Sequence, residues 1–176
     1  VAISDVVGKA EMFFVSNPGL SSLDEEIAKS HIKLGFEVNK STVNITTLAN
    51  VFKEHCVDKE IHFLKIDIEG LEKQALLGND WVRFRPWIIV VEATLPMSQI
   101  ENHGDWEPIL LDADYLFAYA DGLNRFYISK EHEELLPALK YPPNVFDEFK
   151  LIREELTEAK AQQAESKAQQ AESKAQ

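Results

Sequence analysis

Apolar positions along this chain fall in short runs that stop at turn residues or at acids. That pattern predicts an α/β domain. The clearest run is Ile61–Gly70, reading IHFLKIDIEG. Ile61, Phe63, Leu64, Ile66 and Ile68 suit a strand buried on both faces of a parallel sheet. Asp67 and Glu69 come where that strand ends, and Gly70 lets the chain turn sharply. Leu71–Leu77 reads as a short helix closed by Gly78-Asn79. Trp87–Val91, after Pro86, reads as a second buried strand ending at Glu92. Two strands that each finish in an acid, joined by a helix, make a βαβ unit.

The flanking pattern is weaker. Val1–Asp5 and Ala10–Val15 read as two strands of a candidate hairpin. Asn17-Pro18-Gly19 is turn chemistry, and Ser21–Ser30 is a polar loop or short helix. Phe36–Val43 alternates loosely, like an exposed strand. Thr46 or Thr47 can cap a helix running through Cys56, with Leu48, Val51 and Phe52 at helical spacing. Asp105–Leu111 has helical character. Tyr115–Tyr119 and Arg125–Ser129 flank Asp121-Gly122-Leu123-Asn124, which predicts an antiparallel hairpin at the sheet edge. Pro142-Pro143 ends the globular part. Beyond it AESKAQQ repeats every seven residues, placing Ala161, Ala164, Ala168, Ala171 and Ala175 three and four apart. Alanine seams bury little area, so the tail reads as a solvated linker helix or a weak coiled coil that self-associates. The expected organisation is a domain over 1–149 and a helix over 150–176.

Charge narrows the partners. The formal net charge is −12. From Lys150 onward five basic residues balance five acidic ones, so the excess lies in the body. A strongly acidic body repels phosphate backbones, which argues against nucleic-acid binding. No apolar run reaches membrane-spanning length and no signal peptide opens the chain. The lone Cys56 permits no internal disulfide and reads as a packed residue. Together these point to the cytoplasm, where the sequons at Asn39 and Asn44 carry no meaning. A first residue of Val inside a strand-like pattern points to a fragment or a processed chain.

Several blocks, in order, carry a resemblance: VAISD with GKAEMFFV, SSL, VNITTL, IHFLKIDIEGLEKQALLG, RPWIIVVE, YLFAYADGLNRFYIS and PPNVFDEF. Together they resemble the FkbM-type methyltransferases over about residues 1–149, most specifically from KIDIEG to VVE. The resemblance implies an S-adenosylmethionine-dependent enzyme that O-methylates a sugar or another hydroxylated small molecule. It also implies a Rossmann-like class I sheet of seven strands whose last two form an antiparallel hairpin. The family's glycine-containing donor loop and the acid after its second strand are absent, and no G-x-G occurs anywhere. The chain thus corresponds to the C-terminal part of such a domain, with Val1 in the family's third strand. A non-catalytic methyltransferase-like interaction module is the alternative.

Methyl transfer needs an aligned acceptor oxygen and a group that removes its proton. Asp67 is the first candidate: it can accept the proton, orient the hydroxyl, or help hold a metal with Glu92. It can equally cap the following helix. Lys65 lies on the same strand face as Asp67, as a salt-bridge partner or to steady charge near the acceptor. Glu69 is a second acceptor-binding carboxylate or a helix N-terminal charge. Glu92 should lie beside Asp67, where neighbouring carboxylates raise one another's pKa or bind a cation. No histidine-rich pattern accompanies the acids, so no metal site is assigned. His103, in a polar loop, is a candidate base, whereas His62 packs in its strand. Asp121 and Asn124 are turn formers to which the resemblance adds an acceptor-binding role. Ala2 and Ser4 line the adenine pocket, as the family implies. Trp81, Trp87 and Trp106 can stack on sugars but are more simply core or edge packing residues.

Overall fold

The computed structural model describes residues 1–17, 19–147, 151–153, 155–157 and 159–164. They form two compact units, Val1–Pro142 and Pro143–Gln176. In the second unit the described residues from 152 to 164 are helical. Most of the heptad repeat, including Ala168, Ala171 and Ala175, lies outside the described residues. No helix among the described residues is long and apolar enough to cross a membrane.

The first unit is mixed α/β. Its strands are β1 (Ala2–Ile3), β2 (Gly8–Val15), β3 (Val38–Thr46), β4 (Phe63–Ile66), β5 (Ile88–Glu92), β6 (Tyr115–Ala120) and β7 (Asn124–Ser129). Its helices are α1 (Glu25–Lys33), α2 (Leu48–His55), α3 (Glu72–Leu77) and α4 (Glu107–Asp112). The strands divide between two mixed sheets, ordered β1-β3-β2 and β4-β5-β7-β6.

The β4-α3-β5 unit forms as the pattern predicts, with β4 and β5 parallel from Phe63↔Ile88 to Ile66↔Val91. The β6–β7 hairpin forms too, and β7 inserts antiparallel beside β5. Its turn is held by Asp121 Oδ1, which accepts from the amides of Leu123 at 2.9 Å and Asn124 at 2.6 Å. Such a side-chain turn is what aspartate is suited to. Thr47, not Thr46, caps α2, its hydroxyl accepting from the Asn50 amide. Asp24 caps α1, which grows out of the polar Ser21–Ser30 stretch.

Two expectations about strand placement are corrected. The β1–β2 hairpin does not form: β1 pairs parallel with β3, and β2 pairs antiparallel with β3 on its other side. Two short apolar runs joined by a turn do not record which third strand comes between them. The second correction concerns β4, which lies at an edge of its sheet rather than buried on both faces. Phe63 is 57% exposed, and only Ile66 of the strand is buried.

The main core cluster lies on one face of the four-stranded sheet. Ile66, Ile89, Val91 and Tyr127 pack there with Leu48 and Phe52 of α2, Ala75 and Leu76 of α3, and Trp106 and Leu110. Trp81 and Trp106 serve this packing; the Trp81 indole N–H donates to the Leu76 carbonyl at 2.9 Å. Arg85 ties the periphery together. It donates to the carbonyls of Trp81 and Ala113 and forks onto both oxygens of Glu131. His62 is exposed and edge-on to Trp87, not packed within the strand.

Candidate functional site

β4 and β5 run parallel and in register, so their carboxyl ends fall side by side. Asp67 and Glu92 come one step beyond the Ile66↔Val91 pair. Side chains alternate along a strand, so both point away from the face that carries Ile66 and Val91. Asn124 stands opposite Glu92 on β7 and shares that face. Glu69 joins them because the chain turns back at once: Glu69 has φ 54 and Gly70 φ 94. Oxygens of Asp67, Glu69 and Glu92 lie within 4.8 Å of one another, close enough for their charges to interact strongly.

Like charges this close disfavour full ionisation. Burial, then the Asp67 and Glu69 carboxylates, raise Glu92 from 4.5 to about 7. Its Oε2 is shielded from solvent and has no hydrogen-bond partner among the described residues. Burial, then the Asp67 and Glu72 charges, also raise Glu69. Lys65 Nζ contacts Asp67 Oδ2 at 2.7 Å, and that hydrogen bond holds the lysine above its ordinary value. Partly exposed ion pairs of this kind add little stability, so the contact matters mainly for what Asp67 can do.

A pH dependence follows. In the folded chain Glu92 keeps its proton at pH values where the unfolded chain has lost it. Between about pH 4.5 and about 7 unfolding therefore releases a proton, so stability falls as pH rises through that window. Above the window the charged, crowded carboxylate is a net burden. We expect Glu92→Gln to flatten this slope and to gain roughly 1–2 kcal/mol above neutrality, allowing for solvent screening. Melting temperatures of both chains across the window test this; parallel curves would sink it.

A pocket of about 330 Å³ opens beside the acids. Val1, Ala2, Ile3, Leu23, Ile68 and Leu71 supply its apolar wall, with Asp67 and Glu69 at one side. Ala2 thus reaches the pocket. Ser4 does not line it: its amide donates to the Thr46 carbonyl, and its own carbonyl faces Gly78.

His103 is placed elsewhere. Its ring lies 3.6 Å from Glu101 and 3.9 Å from Glu107. Glu107 accepts from Arg125 at 2.7 Å and from the Tyr127 hydroxyl at 2.8 Å. Burial opposes ionisation of Glu107, yet the Tyr127 and Arg125 hydrogen bonds hold it below its ordinary range. Arg125 pairs with Val91 and Asn124 with Glu92, so this network and the acids occupy opposite faces of the sheet. Asp121 and Asn124 are joined through their side chains at 3.2 Å, and Asp121 adds to the field at Lys65.

Two residues that pattern reading passed over prove central to the turn. Glu72 accepts from the amides of Ile68 and Gly70, and Ser22 donates to the Glu69 carbonyl. Glu72 has a local signal: an acid in a helix's first turn that reaches back to preceding amides. Ser22, 47 residues away from Glu69, has none.

Fold and site define an α/β domain that presents converging carboxylates at the carboxyl ends of parallel strands. The chain belongs to the FkbM methyltransferase family: the model of the methyltransferase FkbM domain matches residues 1–117. That span holds both acid-ended strands, while DGLNRFY and PPNVFDEF lie beyond it. No curated protein and no solved structure matches the chain.

Proposed function

We propose that this chain is the C-terminal part of an S-adenosylmethionine-dependent O-methyltransferase that acts on a hydroxyl of a sugar or another small molecule. The convergence of Asp67, Glu69 and Glu92 beside a small pocket carries the reading. The order β4-β5-β7-β6, with β7 antiparallel, suits the second half of a Rossmann-like class I sheet. The pocket's apolar wall suits a nucleobase, and the neighbouring carboxylates suit ribose hydroxyls or a positive centre. At about 330 Å³ it lies at the small end for a ligand site. When bound, S-adenosylmethionine would supply a methyl group on a positively charged sulfur. Asp67 accepts the acceptor's hydroxyl proton, Lys65 orients Asp67, and Glu92 can take a proton near neutrality. Glu69, with Asp121 and Asn124 at the neighbouring turn, contacts the acceptor. The cytoplasm is the proposed location, with weak tail-mediated self-association.

One observation favours a non-catalytic module instead: no glycine-containing donor loop of the G-x-G type is present. Calorimetry separates the two. S-adenosylmethionine is titrated into this chain and into a form extended upstream by roughly 80 residues, about half a domain. Binding by the extended form alone supports an enzyme whose donor loop lies upstream. Binding by neither, with both folded, leaves the module.

A further inference from the structure

Ser22 and Glu72 are each 2% exposed, an unusual degree of burial for such polar residues. Both are bonded to the same turn. Ser22 Oγ donates to the Glu69 carbonyl at 2.9 Å and accepts from the Asp24 amide at 3.0 Å. Its backbone exchanges hydrogen bonds with Phe13 of β2, at 2.9 and 3.2 Å. One residue is therefore tied at once to the three-stranded sheet, the cap of α1 and the acidic turn. From the other side, Glu72 Oε1 accepts from the amides of Ile68 at 3.3 Å and Gly70 at 3.2 Å.

The turn needs this support. Glu69 holds a left-handed φ of 54, which costs a non-glycine residue about 1 kcal/mol or more and persists only when its surroundings impose it. Gly70 follows at φ 94. Relaxation of Glu69 to an ordinary φ would swing its carboxylate away from Asp67 and Glu92. Ser21, Ser22 and Leu23 line one wall of the pocket, and Asp67, Ile68 and Glu69 another, so the Ser22 hydroxyl also joins the two walls.

We propose that Ser22 and Glu72 are positioning residues that hold the Ile68–Gly70 turn in its left-handed form, bringing Glu69 to Asp67 and Glu92 and coupling the β2–α1 loop to the acidic group. The proposal deepens the reading of this site given above, but its test needs neither methyl donor nor acceptor. An absence of methyl transfer would therefore leave it standing.

The experiment follows the carboxyl carbon-13 shifts of Glu69 and Glu92 at neutral pH, with circular dichroism to monitor folding. Ser22→Ala and Glu72→Met are expected to move both shifts toward those of ordinary exposed glutamates. Glu72→Gln sheds the same charge, which itself raises Glu69, but its amide oxygen can still accept, so it moves them clearly less than Glu72→Met does. Folded Ser22→Ala and Glu72→Met chains with wild-type shifts overturn the proposal. If neither variant folds, amide exchange in the unmodified chain decides. Protection of Ile68 and Gly70 at least about tenfold above Gly122 supports the clamp. Exchange as fast as at Gly122 overturns it.

Discussion

Gly78→Ala is expected to destabilise the fold by about 3 kcal/mol, the upper range for forced overpacking. Gly78 ends α3 with an ordinary backbone, φ −77 and ψ 2, so conformation does not demand glycine there. Space does. A Cβ at this position would clash with the Ser4 carbonyl oxygen and lie 3.2 Å from its carbon and 3.3 Å from the Asp5 Cα. All three are backbone atoms, so no side-chain rotation relieves the clash. The Gly78 carbonyl also accepts from the Ala49 amide at 3.0 Å, which fixes α2 against the same point. The segment after β1, the start of α2 and the end of α3 thus meet where only a hydrogen fits.

Two controls separate space from conformation. Gly104→Ala meets nothing within 4 Å and has no positive φ, so it should be close to neutral. Gly122→Ala is equally open but sits at φ 95, so it should cost about 1 kcal/mol. Urea unfolding of the three variants checks the order. A Gly78→Ala chain as stable as Gly104→Ala would show that the close approach is not made.

The second large effect concerns chemistry rather than folding. If the extended protein transfers methyl groups as proposed, Asp67→Asn is expected to lower kcat by about 10²–10⁴, the usual worth of a positioned general base. The same change should barely move the melting temperature. The Lys65–Asp67 pair is 48% and 42% exposed, and such pairs contribute at most about 1 kcal/mol. Asparagine also relieves crowding among the three carboxylates. Loss of activity with an unchanged melting temperature would mark Asp67 as a reacting group. Activity within about threefold of wild type would remove it from that role and shift attention to Glu92.

The contrast between Asp67 and His103 shows how far residue pattern reaches. Both are acid–base candidates by type and setting. For Asp67 the strand that ends at it sets its place, and the parallel β4–β5 register brings Glu92 alongside. For His103 no local pattern states which face of the sheet its loop crosses. The structure gives it to Glu101 and Glu107, behind the strand that carries Asn124. The polar reading of Asp121 and Asn124 was legible as a turn because an Asx turn is local. Their nearness to Lys65 and Glu92 comes from β7 lying next to β5.

By itself the sequence determined the acid-ended strands of the βαβ unit, the capped α2, the hairpin around Asp121 and the family. Each rests on contacts between residues close along the chain, or on an apolar period that one face of an element enforces. Tertiary structure alone decided that β1 lies parallel to β3 and that β4 stands at a sheet edge. It alone also decided that Gly78 must lack a side chain and that Ser22 anchors Glu69. The physical reason is common to all four. Periodicity states which side of a strand is apolar but not which strand becomes its neighbour. A hydrogen bond or a steric contact across 47 or more residues leaves no local trace.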